Sequence, residues 1–395
     1  MAGRQANSPT VTLPAEPFVF SAPTEVLFGA GVIERLGQVT APYGRRPLVV
    51  SDPGVAAAGI LARVVDALGA AVDHVETFAE VEPNPSIETV ERAVEAYRRG
   101  DCDLLVGVGG GSAMDVAKMA AVLVVHGGSV RDYEGIGKVP GPAAPVVAVP
   151  TTAGTGSEVT VFTVITDRER RFKMTVGSPH VLPRAAVCDP ALTLSLPPAV
   201  TAATGMDALT HAIECYVNTA YHPIAKTLAL EAVRLVGRAL RPAYATGALP
   251  ARTEMLLAST MAALAFTRTR LGNVHAMSHP LGAHFDIPHG LANAVLLPHV
   301  MAWNLIACLE TYPRLAEALG EPVAGLSPRE AAEAAVTAVR RLNRDLGIPE
   351  RLRDLGVTAD AIPAMADDAM KSGNVLVNPR RTRREDIVHL FEVAL

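Results

Sequence analysis

Short apolar strands alternate with helical segments through the first half of the chain, and this alternation limits the fold more than any other feature. Residues 47–51, 102–108 and 146–149 are compact apolar runs, typical of strands that are buried on both faces. Helical spacing of apolar residues fills the intervals, as at 60–68 and 87–98. We therefore predict a Rossmann-like, doubly wound parallel sheet.

From about residue 192 onward, strands give way to long helical periodicity, which begins after Pro197-Pro198. The helices are predicted at 199–219, 223–240, 251–268, 274–285, 290–304, 305–319, 328–346 and 360–372. A chain of 395 residues is long enough for two domains. We expect a loose tail at 1–14, an α/β domain at 15–191 and an all-helical domain at 192–395.

Charge, cysteine content and hydropathy indicate which partners and which cell compartment to expect. The formal net charge of -5 gives no basic footprint, so we expect no nucleic-acid partner. The four cysteines lack CxxC spacing, which argues against a disulfide framework and fits a reducing cytoplasm. No uninterrupted apolar run is long enough to cross a bilayer, and residues 1–14 do not have the pattern of a signal peptide. We therefore expect a cytoplasmic protein without a membrane partner.

Two loops after predicted strands are candidates for ligand binding. The strand at 102–108 runs into Gly109-Gly110-Gly111-Ser112 and then into a helix at 113–125. Such a turn offers free N–H groups and a positive helix end to an anion such as pyrophosphate. It matches neither GxGxxG nor a P-loop, so a purely structural turn stays open. The second loop, residues 150–158, is rich in threonine and glycine, and both a ligand-binding loop and a plain linker fit it.

Histidines point to a metal site. Four of the eleven histidines lie between residues 273 and 289, and upstream Asp207 and His211 are four residues apart in a predicted helix. Positions i and i+4 share a helix face, and imidazole and carboxylate groups suit Fe²⁺ or Zn²⁺. We hypothesise one divalent metal held by Asp207, His211, His275 and His289. The alternative is that these are surface histidines or core histidines with ordinary partners.

Five motifs together resemble those of the iron-containing (group III) alcohol dehydrogenases, from about Phe20 to the C-terminus. They are Pro83-Asn84-Pro85, the turn at 109–112 followed by Asp115 and Lys118, Pro-Thr-Thr-Ala-Gly-Thr at 150–155, Ala-Thr-Gly-Met-Asp-Ala-Leu-Thr-His-Ala-Ile-Glu at 203–214, and the stretch from His275 to His289. The resemblance implies a dehydroquinate synthase-like architecture and a homodimer. It implies that Asp207, His211, His275 and His289 ligate Fe²⁺, with Zn²⁺ as the alternative, and that His279 lies near the metal without being a ligand. Because an unperturbed histidine has a pKa of about 6.5, we hypothesise that His279 is a catalytic proton relay.

The resemblance also implies a nicotinamide dinucleotide between the α/β domain and the helical metal and substrate domain. The implied cofactor-binding residues are Asp52, Asn84, Gly110, Gly111, Ser112, Asp115, Thr151, Thr152, Thr155 and Lys173. Asp52 corresponds to the acid that hydrogen-bonds the adenosine ribose. A carboxylate there repels a 2′-phosphate, so we expect NAD(H) rather than NADP(H).

The chain departs from this family before His275, where Phe-Thr-Arg-Thr-Arg-Leu-Gly replaces a small, neutral segment. The predicted substrate pocket consists of Phe162, Phe266, Arg268, Arg270, His279 and Asn374. Arginine binds carboxylate or phosphonate through paired hydrogen bonds. We hypothesise the reduction of an aldehyde with an anionic tail, such as a semialdehyde acid or phosphonoacetaldehyde. The alternative is that both arginines lie on a helix surface or at a subunit contact.

Three other functions compete with this one. A zinc glycerol dehydrogenase-like enzyme and a maleylacetate reductase-like enzyme share the expected architecture, but their patterns around the histidines differ. A non-catalytic nucleotide-binding protein would not need four metal ligands together with the cofactor motifs. The sequence therefore favours a metal-dependent alcohol dehydrogenase that acts on a small alcohol or aldehyde.

Overall fold

The computed structural model describes residues 17–395, so the predicted tail at 1–14 and the first two residues of the predicted α/β domain lie outside the described residues. The strands are β1 Glu25–Phe28, β2 Pro47–Val50, β3 Glu76–Phe78, β4 Leu104–Gly109, β5 Gly135–Ile136, β6 Val146–Pro150, β7 Phe162–Asp167, β8 Phe172–Gly177 and β9 Ala185–Cys188. The helices in this part are α1 Leu36–Thr40, α2 Pro53–Ala57, α3 Ile60–Leu68, α4 Ile87–Arg99 and α5 Gly111–His126.

Six strands form one parallel sheet in the order β1-β9-β6-β4-β2-β3, which confirms the predicted sheet. Strand β4 lies near its middle, and its side chains alternate between two cores because successive residues of a strand point to opposite faces. Leu105 packs with residues of α4 and α5, whereas Val106 packs with residues of α3 on the other face. The sheet is therefore covered on both faces, as a doubly wound fold requires.

A smaller three-stranded sheet has the order β5-β8-β7. From sequence, the runs at 159–166 and 173–176 on either side of the charged turn at 167–171 predict a hairpin, and β7 and β8 form it. The hairpin begins later than predicted, because residues Ser157–Val159 form a 3-10 turn before β7. At the far end of the hairpin, the fully buried Asp167 side chain accepts hydrogen bonds from Arg131 and Arg170. These contacts close the turn between β7 and β8.

The second half of the described chain is helical. Its helices are α6 Pro198–Val217, α7 Pro223–Thr246, α8 Leu249–Thr269, α9 Asn273–Phe285, α10 His289–Asn304, α11 Tyr312–Ala318, α12 Pro328–Asp345, α13 Ile362–Met370 and α14 Arg384–Ala394. Helix α6 packs against α7, α8 and α10, and α9 packs against both α10 and strand β8. Helix α9 therefore joins the helical part to the small sheet.

The differences from prediction include two elements of different extent and one helix that was not predicted. The helix expected at 305–319 is a 3-10 turn, Leu305–Ala307, followed by the separate helix α11, in whose first turn a proline lies. Residues 71–78 also predict a strand from sequence, but only β3 forms there, since Gly69–Ala71 is a 3-10 turn. Helix α14 was not predicted, because it follows an arginine-rich segment with little apolar spacing.

One stretch of the described chain, His289–Ala307, is by length and composition alone long and apolar enough to cross a membrane. In the structure 61% of that window is buried, and α10 packs against α6, α9 and α12. Its apolar character is accounted for by its place in the helical core.

Candidate metal centre and cofactor cleft

A cavity of about 470 Å³ lies where the α/β part meets the helical part. Residues from both halves line it. Of the predicted site residues, those that line the cavity are Asn84, Gly111, Ser112, Asp115, Thr155, Phe162, Lys173, Asp207, His211, Phe266, Arg270, His275, His279, His289 and Asn374. The cavity therefore joins the predicted metal ligands to part of the predicted cofactor loop.

The four predicted metal ligands come together from three helices. One donor atom from each residue lies within 4.8 Å of the others. The Nε2 atom of His211 lies 3.8 Å from Asp207 Oδ1, and those of His275 and His289 lie 3.7 Å from it. A cation bound about 2.1 Å from each donor separates neighbouring donors by roughly 3 to 4 Å, so this donor set fits Fe²⁺ or Zn²⁺.

The electrostatics of this cluster also suit a cation. Burial lowers the pKa of His211 to about 4, so its imidazole is neutral, the form that ligates metals. Burial opposes ionisation of Asp207, but the neighbouring His211 and His289 outweigh it and hold the pKa of that carboxyl below its usual range. Burial lowers the pKa of His275 too, but the nearby Asp207 carboxylate and the hydrogen-bonded Glu214 carboxylate outweigh burial and raise that pKa to about 9. A buried carboxylate among imidazoles is the arrangement that a divalent cation neutralises.

Close packing of α10 on α6 brings His289 to Asp207. A Cβ atom added to Gly290 would overlap the carbonyl oxygen of Ala203 on α6 and lie 3.3 Å from Asp207 Cβ. Only glycine therefore permits this approach at the start of α10. One turn further along α10, Asn293 donates a 2.7 Å hydrogen bond to Asp207 Oδ1, and its own Oδ1 is buried without a hydrogen-bond partner.

Two residues beside the metal ligands were given no role from sequence, Glu214 and Asn293. Glu214 accepts a hydrogen bond from the His275 ring, and Asn293 contacts Asp207, as described above. Helical spacing could have found both, since Glu214 lies three residues after His211 and Asn293 four residues after His289.

The glycine turn and the threonine loop pack directly on each other. Gly110 is the N-cap of α5, so the N–H groups at the start of this helix face the cleft. A Cβ atom on Gly111 would lie 2.8 Å from the Thr155 side chain, and one on Gly110 would lie 3.4 Å from that of Thr152. Thr151 donates its backbone N–H to the Gly109 carbonyl at 2.9 Å. Thr155 lines the cavity, whereas Gly110, Thr151 and Thr152 support the loops behind it.

Buried charges hold the threonine loop in place. Lys118 is fully buried, donates to the backbone carbonyls of Ser157 and Thr160 at 3.1 Å, and also contacts the carbonyl of Phe162. Asp115 accepts from the Ser157 hydroxyl at 2.6 Å and from the Val164 N–H at 2.8 Å. Both Asp115 oxygens are thus engaged within the protein, although Asp115 also lines the cavity.

On the opposite side of the cavity, Lys173 donates to Asn84 Oδ1 at 2.7 Å, and Asn84 donates to Asp286 at 2.6 Å. Burial lowers the pKa of Lys173 to about 8. Asp52 follows β2, caps α2 through a 2.9 Å bond from the Val55 N–H, and does not line the cavity. Its other carboxylate oxygen lies beside the glycine turn, 3.1 Å from a Cβ atom added to Gly109.

One end of the cavity is aromatic. The Phe266 ring stacks on His211 with centroids 4.5 Å apart, and Phe162 stacks on Phe266 at 6.5 Å. His279 lies 5.5 Å from His289, ring centre to ring centre. Asn374 Oδ1 accepts from the Leu271 N–H at 3.4 Å and lies at the same end.

The two predicted pocket arginines point to different places. Arg270 lines the cavity, but Arg268 does not, because its guanidinium donates to the backbone carbonyl of Ser21. The expectation that both arginines face the pocket was therefore wrong for Arg268. Helix α8 ends at Thr269, and Arg270 adopts a positive φ of 66° that turns it away from the helical path.

Nearly the whole chain is similar to known proteins of one family. Residues 23–190 match the family model described as iron-containing alcohol dehydrogenase, and residues 201–395 match that of the Fe-containing alcohol dehydrogenase family, C-terminal. The 1,3-propanediol dehydrogenase of Klebsiella pneumoniae is 43% identical over 381 residues, which cover 95% of this chain and 98% of that protein.

Solved structures of related enzymes have the same fold as this chain over almost its full length. A crystal structure of 1,3-propanediol oxidoreductase has a TM-score of 0.93 and 43% identity, and the match covers 96% of this chain and 100% of that one. Sulfoacetaldehyde reductase from Bifidobacterium kashiwanohense, in complex with NAD+, has a TM-score of 0.86 and 32% identity over 96% of this chain and 99% of that one.

The chain belongs to the iron-containing alcohol dehydrogenase family. It is an oxidoreductase, and the family implies dependence on a nicotinamide dinucleotide and an iron-type metal. The predicted family and fold are thereby confirmed.

Proposed function

We propose that this protein is a metal-dependent NAD(H) alcohol dehydrogenase that interconverts a small alcohol and an aldehyde with an anionic tail. One observation carries the proposal: the four ligand side chains and the N-terminus of α5 open on the same cavity. A divalent cation held by these ligands and a dinucleotide held at α5 would share that cavity. The fully formed ligand set disfavours a non-catalytic nucleotide-binding protein.

Asp207, His211, His275 and His289 would hold Fe²⁺, and Zn²⁺ suits the same donors. A divalent cation there supplies the Lewis acidity that stabilises an alkoxide, and the nicotinamide supplies the hydride chemistry.

The protein's own groups bind and orient the reactants. The N–H groups of Gly111 and Ser112 at the start of α5 bind pyrophosphate, and Thr155 borders the nicotinamide. The stacked Phe162 and Phe266 exclude water from one wall of the cavity. Lys173 and Asn84, joined by their 2.7 Å hydrogen bond, form another wall beside the cofactor.

His279 is the proposed proton relay. It lines the cavity next to His289, and burial lowers its pKa to about 3. Its imidazole is therefore neutral at pH 7, and because a ring with so low a pKa is a weak base, it would pass the alcohol proton onward rather than hold it. In the reductive direction the same ring returns the proton to the product.

NAD(H) is preferred in this proposal because of Asp52. The residue lies after β2 and beside the glycine turn, the place from which a strand-end acid reaches the adenosine ribose in related folds. A 2′-phosphate would meet a like charge there. The NAD+ complex of the sulfoacetaldehyde reductase supports the same choice.

The anionic tail of the substrate is assigned to Arg270. Its guanidinium lies in the cavity, next to Gly373, and within residues 17–395 no carboxylate is in ion-pair range of it. Its backbone is strained for a non-glycine residue, and Asn218 holds it by donating to the Arg270 carbonyl at 2.9 Å. An unpaired guanidinium on a fixed backbone suits a carboxylate, phosphonate or sulfonate. The name of the sulfoacetaldehyde reductase, with its sulfonate substrate, supports this class.

Arg270→Ala tests this substrate class. We expect kcat/KM for an anionic aldehyde such as succinic semialdehyde or phosphonoacetaldehyde to fall about 10- to 100-fold, since hydrogen bonds to charged groups contribute about 1.5–3 kcal/mol. For neutral propionaldehyde the change should be within about threefold. Steady-state kinetics with both aldehydes measures the ratio.

Arg268→Ala is the matched control, because Arg268 lies two residues away and contacts Ser21 instead of the cavity. It should leave the anionic-to-neutral ratio unchanged. Equal efficiency of wild type with both aldehydes, unaffected by Arg270→Ala, would rule the anionic tail out and favour a small neutral alcohol. Turnover of maleylacetate or glycerol in preference to these aldehydes would favour the maleylacetate reductase-like or glycerol dehydrogenase-like alternative. A homodimer and a cytoplasmic location stay predictions.

A further inference from the structure

Helix α6 carries a third titratable side chain, that of Glu214, on the same face as the two proposed metal ligands. Asp207, His211 and Glu214 occupy positions i, i+4 and i+7, which align along one stripe. Glu214 is only 5% exposed, although a carboxylate is rarely buried without partners. Its function must lie in what it contacts.

Glu214 connects α6 to the first turn of α9. One carboxylate oxygen, Oε1, accepts the Val274 N–H at 2.6 Å, and the other, Oε2, lies 2.6 Å from His275 Nδ1. A carboxylate only accepts hydrogen bonds, so Nδ1 of His275 must be the donor. The remaining ring nitrogen, Nε2, is the one that faces Asp207 at 3.7 Å.

We propose that Glu214 is a positioning residue that locks His275 in the Nδ1–H tautomer and aims the Nε2 lone pair at the metal. The proposal rests on the metal-dependent function above and deepens its account of the site. Metal-ligating histidines commonly donate their second nitrogen to such a carboxylate, which fixes the ring and raises its basicity.

The surroundings leave the pair little freedom. A Cβ atom on Gly272 would lie 2.8 Å from Glu214 Oε1 and 3.2 Å from Asn378 Oδ1, so glycine is needed where the chain passes the carboxylate. The His275 ring stacks on His211 with centroids 4.5 Å apart, which restricts its rotation. Ring orientation is therefore set before the cation binds, and the Glu214 carboxylate holds the Nδ1 proton so that Nε2 is the nitrogen left to ligate.

Glu214→Gln separates this role from simple helix capping. The Gln carbonyl oxygen can still accept the Val274 N–H, but its NH₂ group then faces His275 Nδ1. That contact favours the Nε2–H tautomer, which has no lone pair directed at the metal. If the amide turns over instead, its NH₂ group opposes the Val274 N–H.

The test measures Co²⁺ and Zn²⁺ dissociation constants by chelator competition, with the visible spectrum of the Co²⁺ form as a second readout. We expect Glu214→Gln to bind both ions about 10- to 100-fold more weakly, with an altered Co²⁺ spectrum and an unchanged circular dichroism spectrum. Glu214→Asp, which keeps a carboxylate on a shorter arm, should fall between wild type and Glu214→Gln.

Thr382→Val is the control, since it removes the 2.9 Å hydrogen bond from the Asn273 side chain at the same end of α9 without contacting His275. It should bind metal as wild type does. Metal affinity of Glu214→Gln within twofold of wild type, or lowered no more than that of Thr382→Val, would overturn the proposal. If Glu214→Gln does not fold, wild-type affinity in Glu214→Asp would overturn it equally. Failure of wild type to bind either ion would instead contradict the proposed function.

Discussion

Replacing His275 by alanine is expected to abolish metal retention and turnover together. The His275 ring provides one of four donors that converge on a single point, and it also donates to Glu214 from its other nitrogen. The variant loses one ligand and leaves the Glu214 carboxylate buried beside an empty space. Because Lewis acidity contributes several kcal/mol to such reactions, we expect kcat/KM to fall by at least about 10³-fold. Metal content after desalting and NADH-linked turnover measure the two effects.

His284→Ala is the matched control for this variant. His284 lies on the same helix, but its Nε2 is 2.9 Å from Asp368 and it is not part of the four-residue donor cluster. Its replacement should leave metal content at the wild-type level. Full activity of metal-free His275→Ala would refute the assignment of this site to catalysis.

Replacing Asp52 by asparagine is expected to raise the preference for NADPH over NADH about 10- to 100-fold. Asparagine has the same shape and is an equally good N-cap, so the 2.9 Å bond to the Val55 N–H and helix α2 should persist. Only the charge is lost. Placing like charges together costs several kcal/mol, and about 1.4 kcal/mol corresponds to tenfold. The ratio of kcat/KM for the two coenzymes is the measurement.

Asp101→Asn controls for the change in net charge, because the Asp101 side chain is 92% exposed and lies away from the cofactor cleft. It should leave the coenzyme ratio unaltered. Asp52→Ser, which keeps a capping hydroxyl and makes room for a 2′-phosphate, should shift the ratio in the same direction as Asp52→Asn. A ratio that stays at the wild-type value in both Asp52 variants would contradict an adenosine-ribose role for this residue.

The sequence predicted most of the sheet because each central strand is a continuous apolar run, and such runs have few alternatives to a buried parallel strand. Helix α3 was predicted with its observed bounds, since Gly59 and Gly69 with positive φ stand at its two ends. Helix α14 was missed although Ile387, Leu390, Phe391 and Ala394 have helical spacing and pack into the helical core, because the arginine-rich segment before it was interpreted as continuing to the end of the chain.

The metal ligands were predictable because their chemistry is specific and because Asp207 and His211 share a helix face. Helical spacing places Glu214 and Asn293 beside the ligands, but it does not predict which ligand each one orients, since the contact between Glu214 and His275 spans 61 residues of sequence. The two arginines could not be separated either. Their directions depend on where α8 ends and on the positive φ of Arg270, and neither follows from residue type.

The most direct test of the central claim is to strip the purified protein of metal with a chelator and add Fe²⁺ back without oxygen while NADH oxidation by a small aldehyde is followed. The account predicts no turnover without metal and activity that rises in proportion to bound Fe²⁺ until one ion per chain is bound. Full turnover by the metal-free protein, or stoichiometric Fe²⁺ binding that leaves turnover unchanged, would contradict it.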